Sequence, residues 1–251
     1  MPASHARTTL SLIGFGAFAR FAAPHLRAHF DLLAHDARGL DLEIREQGLR
    51  PATLADAAAA DVVVFAVPAQ HLEGVLQGAA PHVRNGALVL DVCSVKVMPI
   101  EMMLRRLPAS ARIVGTHPLF GPQSGRDGIA GLPIALCPAR ADAGTVSCVR
   151  EFLHATLGLN VIETTPEAHD RQMAYVQGLT HFISRAIGGL DLPSTPMATR
   201  AYARLLDMRR DLEKDSAELF LTIERMNPYA AAARAELRSK LDELERTIAA
   251  T

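Results

Sequence analysis

The sequence predicts a doubly wound, mainly parallel α/β domain over residues 1–164, followed by an all-helical domain over 165–251. Three observations predict this. Short runs rich in Val, Leu and Ile recur through the first 160 or so residues. Helical patterns separate them, and continuous apolar runs alternating with helices suit a parallel sheet covered on both faces. After about residue 165 the strand runs stop and only helical patterns remain.

In chain order, "TLSLIGF" (9–15) reads as a buried strand, and a helix to about His29 follows, with Phe18, Phe21, Ala22 and Leu26 on one side. "FDLLAHD" (30–36) is a second strand. The Ala-rich "ADAAAAD" (55–61) reads as a short helix leading into "DVVVFAV" (61–67). Further strands are "ALVLDVC" (87–93), "RIVGT" (112–116), "PIALC" (133–137) and "LNVIET" (159–164). A long helical pattern, 166–190, opens at Pro166 and Glu167, as a helix start does. "GGLDLPSTP" (188–196) breaks it, and at least two more helices reach the end, with a break at Pro228. Leu237, Leu241, Leu244 and Ile248 recur at four- and three-residue steps, a seam for a helix of this chain or of a second copy.

Composition narrows the function classes. With 26 basic against 27 acidic residues, the chain lacks the basic excess of a nucleic-acid binder. No stretch approaches the roughly 18 apolar residues of a membrane span, and "MPASHART" lacks a signal peptide's apolar run. Cys93, Cys137 and Cys148 show no metal spacing and cannot all pair, so a reduced, cytoplasmic setting is expected.

"IGFGAFARF" places Gly14, Gly16 and Ala19 in the spacing G-x-G-x-x-A between a strand and a helix, the context of a dinucleotide-binding, Rossmann-type turn. Gly14 permits the turn, Gly16 admits a pyrophosphate, and Ala19 lets helix and strand pack closely. Phe15, Ala17 and Phe18 complete the loop and open the helix, whose free N–H groups attract phosphate. Asp36, about 20 residues on, stands where a carboxylate receives an adenosine ribose, which favours NAD. Arg38 follows closely and can instead hold the 2′-phosphate of NADP. "AVP" (66–68) brings Val67 and Pro68 to the end of another strand, beside the cofactor.

A dinucleotide domain joined to a helical one suggests a dehydrogenase, and oxidising an alcohol carbon requires a proton acceptor, for which histidine is suited. Of ten histidines, His117 follows a strand at the C-terminal edge of the sheet, where open α/β sheets bind ligands. Ser94 has the same relation to strand 87–93, so the two are expected to be neighbours, with the charge of Lys96 nearby.

"IGFGAF", "DVCSVK", "GTHPLFGPQSG" and "QGLTHF", in this order, resemble the prephenate/arogenate dehydrogenases of tyrosine biosynthesis over nearly the whole chain, in their short form without a mutase or regulatory domain. The resemblance implies oxidative decarboxylation of prephenate or arogenate with hydride transfer to NAD(P)+ and no metal. It makes His117 the base for the ring hydroxyl and Ser94 its hydrogen-bonding partner. It makes His181, one helical turn after Gln177, a substrate contact. An arginine for the side-chain carboxylate comes from Arg200, Arg204, Arg209 and Arg210, of which Arg204 is preferred. It also implies a homodimer through the C-terminal helices. Competing readings are a β-hydroxyacid-type dehydrogenase, which would use a second-domain lysine where this chain has none before Lys214, and a non-catalytic NAD-sensing dimer, which would not need Ser94, His117 and His181 together.

Overall fold

The computed structural model describes residues 7–213 and 216–250, so Lys214 lies outside the described residues. The chain divides into two compact units between Glu167 and Ala168. The first is an eight-stranded sheet: β1 (Thr9–Ile13), β2 (Asp31–His35), β3 (Arg50–Pro51), β4 (Val62–Phe65), β5 (Leu88–Asp91), β6 (Arg112–Pro118), β7 (Pro133–Arg140) and β8 (Asn160–Glu163). Their order in the sheet is β3-β2-β1-β4-β5-β6-β7-β8. All neighbours are parallel except β6 and β7. The apolar runs read from the sequence all form strands; β3, a two-residue edge strand, has too little pattern to be read.

Six helices connect the strands: α1 (Ala17–Leu26), α2 (Asp41–Glu46), α3 (Leu54–Ala58), α4 (Ala69–Ala79), α5 (Val97–Arg106) and α6 (Ala143–Glu151). From β1 the chain winds outward through β2 and β3, then returns to place β4 on the other side of β1. That reversal opens a crevice beyond the C-terminal ends of β1 and β4, where α/β sheets of this kind take their ligands.

Alternation along the strands sets the two faces. Val63, Phe65, Val89 and Ile113 are fully buried, each contributing about 1.5–3 kcal/mol by leaving water. Helix α5 packs closely on this face: a Cβ on Gly115 would lie 2.7 Å from Ile100 Cδ1. The opposite face is covered less completely. Between α1 and α6 an apolar cavity of 590 Å³ is lined by Leu12, Val64, Leu90, Phe18, Phe21 and Phe120, with the rings of Phe21 and Phe120 edge to face at 6.3 Å.

The second unit is helical. Helix α7 (Pro166–Met173) runs through a π-helical turn (Ala174–Leu179) into α8 (Thr180–Gly188). Then follow α9 (Arg200–Glu213), α10 (Ala217–Met226) and α11 (Ala230–Ala249), the last two separated at Pro228. Within this unit the carbonyl of Asp170 accepts from Asn227 Nδ2 at 2.8 Å, tying α7 to the α10–α11 turn. His169 Nδ1 lies 2.8 Å from Asp170 Oδ1, both residues buried. On α11, Leu241, Leu244 and Ile248 are 52%, 59% and 71% exposed, so the seam is not packed within the chain.

Because Ile100 leaves no room over Gly115, Gly115→Ala is expected to destabilise the fold by about 1–3 kcal/mol. Urea unfolding should show a lower midpoint at an unchanged slope.

Candidate active site

The glycine loop is built as its spacing requires. Gly14 has φ +97°, and a Cβ there would meet Ala66 O and Val67 Cγ1, each at 2.7 Å. Its N–H donates to His35 O at 2.8 Å. Gly14 thus closes β1 against the ends of both β2 and β4 at the crevice. A Cβ on Gly16 would meet nothing within 4 Å. Helix α1 starts at Ala17 with no side chain capping its N-terminus and no acid in its first turn. Free N–H groups facing open space at a helix start suit a pyrophosphate, so these residues fit a dinucleotide. Phe15 is fully buried and offers only its backbone, and Phe18 turns into the apolar cavity. Val67 is half-buried against Gly14, and Pro68 is exposed.

Asp36 sits at the end of β2 with Arg38 folded back onto it. Its Oδ2 accepts from Phe15 N at 2.8 Å and Arg38 Nη2 at 2.9 Å. Its Oδ1 accepts from Arg38 Nε at 2.8 Å and Arg38 N at 3.0 Å. The Arg38 guanidinium foremost, then the two backbone N–H groups, hold the Asp36 carboxyl well below the usual carboxylate range despite its partial burial.

The chemistry-bearing part of the edge is organised by a buried ion pair. Lys96 and Asp91 are both fully buried. Lys96 Nζ bonds Asp91 Oδ2 and donates to the carbonyl of Thr116 at 2.6 Å. Thr116 Oγ1 donates to the carbonyl of Asp91, and Cys93 N donates to Asp91 Oδ2 at 3.0 Å. Burial above all, and then the Asp91 charge, push the Cys93 thiol up. The Cys93 thiol also lies 3.8 Å from Val67 O, linking this loop to the end of β4. Lys96, expected beside a substrate, has no solvent-facing charge; its ammonium is spent inside the protein.

His117 is not in a loop after the strand. It is the sixth residue of β6, paired with Ala135 of β7, and only 3% exposed. The antiparallel β7 extends β6 beyond its apolar run, which is why the apolar pattern alone ends the strand too early. Asp91 pairs with Gly115, so the segment carrying Ser94 and the end of β6 carrying His117 leave the sheet side by side. Lys96 holds the carbonyl immediately before His117. Ser94 itself is half-buried.

The remaining expected residues belong to the helical unit. Gln177 lies in the π turn and His181, 8% exposed, in the first turn of α8. Helices α8 and α9 pack side by side: Ser184 Oγ donates to Met208 O at 3.3 Å, and Tyr202 OH donates to Pro193 O in the connection between them. On α9, Arg204 is exposed and Arg209 half-buried. Arg200 is exposed at the start of α9, and Arg210 pairs with Asp207 at 3.3 Å. Two contributors were not legible in advance: Asp91, which looked like one apolar-run residue among others, and Val67 as the contact of Gly14. Among the described residues no cluster of His, Cys, Asp and Glu could hold a metal, and no helix is long and apolar enough to cross a membrane.

Removing one side of a buried ion pair strands the other charge. Asp91→Ala is expected to destabilise the protein by about 3–5 kcal/mol, and Asp91→Leu combined with Lys96→Met to recover most of that loss. Denaturant unfolding of the single and double variants measures both.

Known proteins match this chain in both halves. The family model described as prephenate dehydrogenase, nucleotide-binding domain, matches residues 34–162, a span that includes Asp36, Ser94, Lys96 and His117. A second, described as TYRAAT1-like, C-terminal domain, matches residues 186–251. Arogenate dehydrogenase 2, chloroplastic, of Arabidopsis thaliana is 31% identical over 88% of this chain, which spans 64% of that relative's length. 4-Amino-4-deoxyprephenate dehydrogenase of Streptomyces pristinaespiralis is 30% identical over 82% of this chain and 69% of its own. The crystal structure of prephenate dehydrogenase from A. aeolicus, in complex with hydroxyphenyl propionate and NAD+, shares the fold with a TM-score of 0.78 at 18% identity, over 98% of this chain and 92% of that one.

Proposed function

The chain belongs to the prephenate dehydrogenase family, and on that premise we propose that it catalyses the oxidative decarboxylation of prephenate or arogenate with a nicotinamide dinucleotide. The observation that carries this reading is the placement of His117. It is a nearly buried base at the end of a central strand, next to the Ser94 segment, fixed by a charge on the carbonyl before it.

A bound NAD(P)+ would supply the hydride acceptor. Gly14, Gly16 and the start of α1 would hold its pyrophosphate, and Asp36 with Arg38 its adenosine end. His117 takes the proton of the C4 hydroxyl as that carbon becomes a carbonyl-equivalent and C4–H leaves with its electron pair. Ser94 hydrogen-bonds the same oxygen and keeps its lone pair aimed. Loss of the C1 carboxyl group as CO2 returns that bond's electrons to the ring, which becomes aromatic. The ring thus provides the driving force, and the protein's task is positioning and proton removal. Lys96 acts as a positioning residue through Thr116. Gln177, His181 and an arginine of α9 contact the substrate. The chain works in the cytoplasm as a homodimer, with the exposed Leu241–Leu244–Ile248 face of α11 as the contact between copies.

His117→Asn should lower turnover by about 10²–10⁴ while dinucleotide affinity is kept. The near-ultraviolet absorbance of reduced nicotinamide, followed with each substrate, reads the rate. Unchanged turnover would remove His117 from the mechanism, and no reduction with either substrate would remove the reaction. In a separate check by sedimentation velocity, Leu241→Asp with Leu244→Asp should convert the dimer to a monomer; a wild-type protein that already sediments as a monomer would contradict the assembly.

A further inference from the structure

We propose that the protein carries a second anion site, at the edge of the sheet opposite the dinucleotide crevice, where Arg7, Arg27, Arg45 and Arg50 receive a chain of three phosphates. The site stands apart from the crevice, so nothing in it depends on the dehydrogenase reading.

The site is built from strand beginnings. Thr9 and Asp31 open β1 and β2 and are paired with each other. Together with the end of α1 and the approach to β3 they frame an open cavity of 730 Å³, within the size range of clefts that take small molecules. The crevice lies at the other end of the same strands, past Ile13 and His35, about 13 Å away by strand rise.

The charge in this cavity is lopsided. All four arginines line it, and among the described residues that do so Asp31 is the only acid. The chain as a whole has 26 basic against 27 acidic residues, so composition does not produce the cluster. Arg7 donates to the carbonyl of Ala28, just past α1. Arg50 Nη2 lies 3.3 Å from Asp31 Oδ2, but both side chains are about half exposed, and a pair of that kind contributes little. Arg27 and Arg45 have no side-chain hydrogen bond or ion pair among the described residues. Gly48, with φ +77°, turns the chain after α2 towards the end of α1: a Cβ there would lie 4.0 Å from Arg27 Nη1. The N–H of Gly48 donates to the carbonyl of Arg45 at 2.9 Å, so the same turn ties the Arg45 backbone to the approach of Arg27. Arginines near helix ends can serve only to offset the last carbonyls. Arg7 does so; that role does not account for two uncommitted guanidiniums lining one cavity with two others.

The guanidinium fork matches phosphate oxygens. A cleft lined by one sign of charge, with Phe30, Leu32 and Leu49 as its apolar wall, concentrates the opposite ion. Four cations against one carboxylate call for more negative charge than a single phosphate brings. A free oligophosphate and the triphosphate of a nucleotide both supply it.

The test is isothermal titration calorimetry of the full chain, saturated with NADH so that the crevice is filled, against sodium tripolyphosphate, orthophosphate and ATP. Wild type is expected to bind tripolyphosphate at least about tenfold more tightly than orthophosphate. ATP binding as tightly as tripolyphosphate means that the phosphates alone are read, and tighter binding makes a nucleotide the occupant. Arg27→Ala combined with Arg45→Ala should weaken tripolyphosphate binding at least about tenfold, the loss of two charge-assisted donors. Arg27→Lys combined with Arg45→Lys should fall between. Arg150→Ala, which removes a cation paired with Glu163 near the opposite end of the strand order, should bind as wild type does. The substituted residues are exposed, so the variants are expected to fold, and circular dichroism checks it. Unchanged binding in the double alanine variant, an equal loss in Arg150→Ala, or no preference for tripolyphosphate over orthophosphate overturns the proposal. If NADH does not bind, the titrations are run without it. Tripolyphosphate binding that depends on Arg27 and Arg45 then leaves this site standing while the dehydrogenase reading falls.

Discussion

The buried pair of Lys96 and Asp91 is the constraint on which the arrangement of the sheet edge depends. Two opposite charges with no contact to solvent are costly to bury, and Asp91 Oδ1 is left without a hydrogen bond among the described residues. Here the ammonium reaches across from the segment after β5 to a carbonyl of β6, and the carboxylate collects the amide of Cys93 on its way. The result is a rigid junction between two adjacent strand ends. A hydrophobic pair of similar volume would fill the same space, but it would not fix the carbonyl of Thr116, and so would not fix the residue that follows it.

From that junction the order of the edge spreads laterally. Cys93 touches Val67, Val67 lies against Gly14, and Gly14 bonds His35 beside Asp36. Each link is short and local, yet together they run from the proposed base to the adenosine end of the crevice. A dinucleotide laid along the edge would be read by groups that are already fixed with respect to one another. Such preorganisation is where a reaction driven by aromatisation gains most from its enzyme.

Much of this was legible in residue order, because apolar runs and glycine spacing are local signals. The strand positions and the loop from Gly14 to Ala19 follow from them directly. The limits were equally physical. His117 reads as a loop residue because Pro118 and the glycines beyond it break the apolar pattern, whereas its strand is prolonged by pairing with β7, a partner far along the chain. Lys96 reads as a charge beside the substrate because burial of an ammonium depends on a carboxylate that only the fold brings to it. Arg38 could be named as an alternative to Asp36, but that the two form one unit is a matter of three hydrogen bonds between them, which no spacing encodes.

The π turn at Ala174–Leu179 bears on how the helical unit can change over evolutionary time. A turn of this kind holds one more residue than its α-helical counterpart, and such turns gather at functional sites. Excising a single residue there would let α7 and α8 fuse into one regular helix. Because the turn already absorbs that residue, α8 and His181 would keep their orientation, and only the local widening of the helix at Ala174–Leu179 would be lost. A comparison of homologous sequences that counts only substitutions would score such a deletion as minor, although it would reshape the turn that carries Gln177.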